Sequence, residues 1–253
     1  MPFTLAHPAA ILPLRGTRFL RTAPLLIGAM APDLPYFLPA SLKRLMPETH
    51  DLAASVTTDL ALGYLALFLV VVLRRPLTAL LAPRARWLWL SALVPFRREW
   101  TAWVYAAPAI VIGVWSHLLW DSFTHTDGWM VHRVAALSAP VTVWSYTGPM
   151  CHVLQYVSSV VGLAIMSLWY LRLPAPPRAS LGQGAPRSAA TPILVLAGVA
   201  ALLIGGVQAT VYYRRTQFVY GSLDLLLTHS LACFALFYLM AGLLRMQQHR
   251  HGE

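Results

Sequence analysis

Charge is what this chain has least of. Only 11% of its 253 residues are Asp, Glu, Lys or Arg, against about 25% in soluble domains. Hydrophobic residues make up 58%, and the mean hydropathy is +0.60. This shortage excludes an ordinary soluble domain and predicts an integral membrane protein. Acids are the scarcer sign, nine against nineteen Lys and Arg, for a formal net charge of +10. A nucleic-acid partner does not follow, because the arginines come as pairs flanking apolar runs: Arg74-Arg75, Arg97-Arg98 and Arg214-Arg215. The two cysteines, Cys151 and Cys233, lie in apolar stretches. They exclude a disulfide framework and a cysteine-built zinc finger and read as buried thiols. No basic residue precedes the first apolar residues of the N-terminus, which argues against a cleavable signal peptide of the usual form. The mature sequence is expected to begin at or near Met1. No repeat of 20–50 residues is evident.

Long apolar runs are what the chain has in plenty. Five are near the roughly 20 residues that a spanning helix needs: 57–73, 101–121, 150–171, 191–211 and 219–243. A sixth, weaker run at 22–40 is interrupted by Pro24, Pro32, Pro35 and Pro39 and carries Asp33 at its centre. Proline removes a helical donor and clashes with the preceding turn, so this stretch is expected to be broken or re-entrant. Such backbone is tolerated at membrane depth where protein or a polar cavity covers it. The expected fold class is therefore all-α, a polytopic helical membrane protein of five to six spans. Residues 76–98, with Trp87 and Trp89 among basic residues, read as an interfacial helix or a solvated loop. Residues 173–190, rich in Pro, Gly and Ser, read as a linker. It would separate a membrane-embedded unit, 1–172, from a C-terminal helix pair with a short tail, 191–253. If 22–40 crosses and the N-terminus is cytoplasmic, 14 basic residues fall inside and 5 outside, as the positive-inside tendency prefers. His7 and Asp33 would then have to reach the outer side through the broken segment.

Against this apolar background stands Ser116-His117-Leu-Leu-Trp120-Asp121-Ser-Phe-Thr-His125. Residues four apart share a helix face, so His117 and Asp121, about 6 Å apart along the axis, can serve one ion. His125, about 12 Å from His117 on a straight helix, needs either a bend after Asp121 or a second ion. A catalytic metal takes three protein ligands and keeps an open position. Further candidates are His7, Asp33 and His50, and Asp59 near the start of the first firm span. An acid inside an apolar segment is a functional hypothesis by default. His and Asp together suit zinc, manganese or iron. Each has a plainer reading. His117 and Asp121 could be a hydrogen-bonded packing pair, Asp33 and Asp59 helix caps, His7 a surface residue, His50 a loop residue and His125 an interfacial one. Asp224 and His229 could form a separate contact between helices. Trp115, Trp120, Trp129 and Trp144 read as an interfacial belt, as a wall for an apolar substrate, or as both.

The ordered set Met-Pro-Phe-Thr-Leu-Ala-His7-Pro-Ala-Ala, then Gly28-Ala-Met-Ala-Pro-Asp33-Leu-Pro-Tyr-Phe, then Ser116-His117-Leu-Leu-Trp-Asp121-Ser-Phe-Thr-His125 resembles an uncharacterised family of bacterial integral membrane proteins, one of the domains of unknown function. More distantly it resembles bacterial membrane-bound metal-dependent hydrolases and the zinc-dependent phospholipase C family. The distant resemblance implies a multinuclear zinc site and phosphoester hydrolysis, with metal ligands at His7, Asp33, His117, Asp121 and His125 and a looser match at His50. The soluble phospholipases carry more histidines and a tryptophan amino-terminus as ligands, and this chain lacks part of that set. The leading expectation is a hydrolase of the bacterial cytoplasmic membrane acting on a lipid-like phosphoester, with one or two zinc ions and Asp33 and Asp121 at the reaction centre. The alternatives are an ion- or solute-handling protein and a non-catalytic structural or assembly protein.

Overall fold

The computed structural model describes residues 3–15, 20–38, 40–143, 146–174 and 187–251. Trp144 and most of the 173–190 stretch lie outside the described residues. The architecture is helical and polytopic. Short helices α1 (Pro8–Ile11), α2 (Thr22–Gly28) and α3 (Ala40–Lys43) come first. They are followed by α4 (Thr58–Val72), α5 (Arg74–Ala79), α6 (Pro83–Arg98), α7 (Trp100–Val104), α8 (Ala106–Thr124) and α9 (Ala135–Ser138). A two-stranded antiparallel hairpin, β1 (Pro140–Val143) and β2 (Tyr146–Pro149), precedes the long helices α10 (Met150–Leu171), α11 (Arg187–Thr216) and α12 (Val219–His251). Five helical stretches are long and apolar enough to cross a membrane: Ala54–Val72, Trp100–Thr124, Met150–Leu171, Thr191–Thr216 and Val219–Gln248. The chain is a membrane protein by this measure. The small hairpin was not anticipated, although the β-branched Val141, Thr142 and Val143 carry its signal.

Two compact units are present, one of residues 1–35, 41–68 and 95–172, the other of 36–40, 69–94 and 173–253. In the second, α11 and α12 pair along their length. His229 hydrogen-bonds Gln208 across them, the helix-to-helix contact that an intramembrane histidine invites. α5 packs on α12, where the Tyr238 hydroxyl donates to the Leu77 carbonyl at 2.8 Å and Gly242 leaves no room for a Cβ against Pro76. The 76–98 stretch is two helices, α5 and α6, parted at residues 80–82.

The first unit is built around α8. Its covered face carries Ala106, Ala109, Ile110, Gly113, Val114, His117, Asp121 and Thr124, the three-and-four spacing of one helical stripe. Pro108, lacking an N–H, interrupts the ladder between α7 and α8. α2 lies against α8 backbone to backbone. A Cβ on Gly113 would sit 2.4 Å from the Leu25 carbonyl oxygen, and one on Gly28 would sit 2.2 Å from that of Ile110. Small residues let helices approach this closely where lipid supplies no hydrophobic drive. Ile11, Leu12, Leu25, Leu26, Ala29 and Ala109 close the core beside this contact.

The 22–40 stretch is broken, as its prolines predict. α2 stops at Gly28, and Ala31–Phe37 winds as a 3₁₀ helix carrying Asp33. Arg21, just before α2, pairs with Glu99 at 3.5 Å, at the start of the Trp100–Thr124 stretch. Ala29, just after α2, meets His117. His7 also stacks on His117. His7 and Asp33 are thus both brought beside His117 of α8.

Candidate functional site

Three elements deliver the polar residues. α8 presents His117 and Asp121 one turn apart on its covered stripe. The N-terminal region, packed on α8 through α2, brings His7 and Asp33. The loop before α4 brings His50, whose backbone is left-handed at φ 69°, a conformation uncommon outside glycine. Thr4, Asp33, Asp59, His7, His117 and Asp121 are buried, while the side chains of His50 and His125 keep about a quarter of their surface exposed.

Four of their atoms form a closed ring. Asp33 Oδ1 lies 3.3 Å from His50 Nε2, which lies 3.8 Å from Asp121 Oδ2. Asp121 Oδ2 lies 3.1 Å from His117 Nε2, which lies 3.7 Å from Asp33 Oδ1. Ligand atoms around one tetrahedral zinc, with bonds of about 2.0–2.1 Å, stand ~3.4 Å apart. The four edges, 3.1–3.8 Å, bracket that spacing. The potential ligand atoms of His7, Asp33 and His117, and those of His50, His117 and Asp121, each fall within 4.8 Å of one another. Among the described residues, each ion-pair contact of Asp33 and Asp121 is with a histidine.

The surroundings fix how each group faces the ring. A carbonyl only accepts, so His117 Nδ1–H donates to the Ala29 carbonyl at 2.9 Å. That leaves Nε2 facing two carboxylates. Nε2 and both oxygens of Asp121 have no well-formed hydrogen bond. Thr4 Oγ1 donates to Asp33 Oδ2 at 2.7 Å, leaving Oδ1 to the ring. The His50 Nδ1 is paired with Thr49 Oγ1 at 2.8 Å, which leaves Nε2 to the ring. His7 stacks on His117 with centroids 3.8 Å apart and points Nε2 at Asp121 Oδ1, 3.6 Å away. Burial, and then the neighbouring His117, push the His7 imidazole down to about 3, so it is neutral near pH 7.

His125 stands apart. α8 ends at Thr124 and His125 follows in extended backbone, the bend that its spacing required. Its Nδ1 lies 3.6 Å from Asp121 Oδ1, yet the same nitrogen donates to the Asp121 carbonyl at 3.2 Å. That N–H cannot also be a ligand lone pair. Burial lowers the His125 pKa. Thr4, Thr49 and the Ala29 carbonyl were not singled out from the sequence, although Thr4 lies one turn before His7. Asp59, fully buried, sits at the second residue of α4 rather than in the cap position.

The family model described as a domain of unknown function (DUF4184) matches residues 1–246, a span that contains every member of the ring. No curated protein and no solved structure matches the chain. On that match across nearly its whole length, the chain belongs to the DUF4184 family of unknown function.

Proposed function

We propose that the first unit is a membrane-embedded metal-dependent hydrolase, a phosphoesterase acting on a lipid-like substrate. The reading places it in the bacterial cytoplasmic membrane, with zinc as the ion and manganese or iron as substitutes. The supporting observation is His117 Nε2 held 3.1 and 3.7 Å from two carboxylate oxygens in a buried setting. Groups packed this closely around two carboxylates need a cation or a proton between them, and the reading takes the cation.

Asp33 Oδ1, His50 Nε2, His117 Nε2 and Asp121 Oδ2 would hold the ion. When bound, the ion would acidify water and offset the negative charge that develops on oxygen. Asp121 Oδ1, outside the ring and facing His7, is the atom placed to accept a proton from water. Thr4 and the Ala29 carbonyl orient Asp33 and His117, as second-shell partners do. Substrate would enter past His50 and His125, the two members with open surface. The exposed Trp115 and Trp129 suit the apolar part of a lipid. Arg21, Arg97 and Arg98 gather at the Glu99 end of the unit, so the positive-inside tendency puts the ring toward the outer leaflet.

Zinc analysis of detergent-purified protein tests the reading. One zinc per chain is expected, lost in Asp121→Ala, together with hydrolysis of a short-chain phospholipid in mixed micelles. Metal-free wild-type protein whose stability is unchanged in Asp121→Ala would overturn it. Ion flux in proteoliposomes without bound metal would move the assignment to transport.

A further inference from the structure

Beside the ring lies an apolar surface that its chemistry does not use. Leu52 and Val56, just after His50, and Trp115 and Leu119 of α8 are each half exposed or more. A hydrogen bond joins the two pairs, with Trp115 Nε1–H donating to Ser55 Oγ at 3.0 Å. Trp115 lies about 13 Å of helix before the end of α8 at Thr124. The turn that carries Leu52 and Val56 therefore stands beside the apolar body of α8, not beyond its tip. Its backbone is equipped for that place. Ala54 N–H donates to Asp51 Oδ1 at 2.6 Å, Ser55 N–H to the Asp51 carbonyl at 3.1 Å, and Ser55 Oγ–H to the Leu52 carbonyl at 2.7 Å. The Val56 and Thr57 N–H groups reach the Ala53 and Ala54 carbonyls. Hydrocarbon tolerates backbone only where its polar groups are satisfied within the protein. Glu48 and Asp51, which flank His50, are exposed and polar. The mouth of the ring at His50 thus has one polar edge and one apolar edge.

We propose that the ring opens sideways into the leaflet, and that the apolar edge docks the acyl chains of a membrane phospholipid whose phosphate reaches the ring past His50. Continuity carries the choice of occupant. Val56, Trp115 and Leu119 belong to the stretches Ala54–Val72 and Trp100–Thr124, which are long and apolar enough to span. The edge is the lipid-facing surface of those spans carried up to the ring. The exposed quarter of the His50 side chain sits between that surface and the polar edge, and a phospholipid keeps its phosphate at just such a boundary. A substrate held there leaves its tails in the bilayer. The portal rests on the hydrolase reading above and deepens it, since it makes the substrate a lipid resident in the bilayer and not a soluble phosphoester.

The test uses the full chain in lipid nanodiscs. Bimane attached at Leu52→Cys, in a Cys151→Ser, Cys233→Ser background, is expected to lose most of its emission to a lipid carrying a nitroxide high on its acyl chain, and little to aqueous iodide. Bimane at Glu48→Cys is expected to show the reverse. Iodide quenching at both positions without a nitroxide effect would overturn the portal and leave the metal reading, which zinc analysis of the same discs decides separately. Leu52→Asp is expected to raise the KM for a diacyl phospholipid in the disc about tenfold or more, with zinc content intact. A loss confined to kcat, or a loss of zinc, would instead make Leu52 a support of the ring and overturn its docking role. Zinc-loaded wild-type protein that hydrolyses no phospholipid, while the nitroxide quenching holds, would overturn the hydrolase reading and keep the lipid-facing edge.

Discussion

At the scale of single residues, the polar centre depends on which atoms are already committed. Thr4 fixes one oxygen of Asp33 and Ala29 fixes one nitrogen of His117. Thr4→Val is expected to free Asp33 to rotate and to weaken zinc binding about tenfold, measured by chelator competition. His7 gives a prediction about acid. Its folded-state value, about 3, lies below the ordinary 6.5. The unfolded chain therefore takes up a proton on this group that the native chain refuses, once pH drops below about 6.5. Stability of the metal-free protein is expected to be whole above that pH and to fall as pH moves toward 3. A His7→Leu variant should flatten that fall, read from unfolding midpoints at pH 7, 6 and 5. The pairing of His117 with Asp121 was legible in the sequence, because a four-residue interval on an apolar helix has one geometric meaning. The commitment of the other His117 nitrogen to Ala29 was not. It depends on how closely two backbones 88 residues apart approach, and no local pattern encodes that distance.

At the scale of elements, the contact between α2 and α8 sets the centre. Gly28 and Gly113 bring the two backbones together, and Ala29 reaches His117 only because of that approach. Gly113→Ala places a methyl group 2.4 Å from the Leu25 carbonyl oxygen and 2.6 Å from the Ala29 nitrogen. Overpacking of this kind costs about 1–3 kcal/mol. The variant is expected to lower the unfolding midpoint and zinc affinity together, whereas a glycine with open space, Gly198, should accept alanine with neither effect. The five long apolar helices could be read from run length alone, and the break at 22–40 from its prolines. The placement of His7 and Asp33 against α8 could not, because it rests on contacts between residues far apart in the chain.

At the scale of the whole molecule, the first unit has an arginine-bearing end and a ring-bearing end. Single cysteines introduced into a Cys151→Ser, Cys233→Ser background can assign them to sides. Glu48→Cys, in the loop with His50, is expected to react with a membrane-impermeant maleimide on intact cells. Arg98→Cys is expected to react only after permeabilisation. The reverse pattern would place the ring at the cytoplasmic face and with it the substrate's leaflet.

The pairing of His7 and Asp33 with α8 also fixes an order of events during synthesis. Their partners at 117 and 121 follow roughly a hundred residues later, on the order of ten seconds at ordinary translation rates. Through that interval a buried-to-be acid and imidazole have nothing to face, and hydrocarbon rejects such groups. Their stable place is therefore created by α8, so an earlier part of the chain waits on a later one.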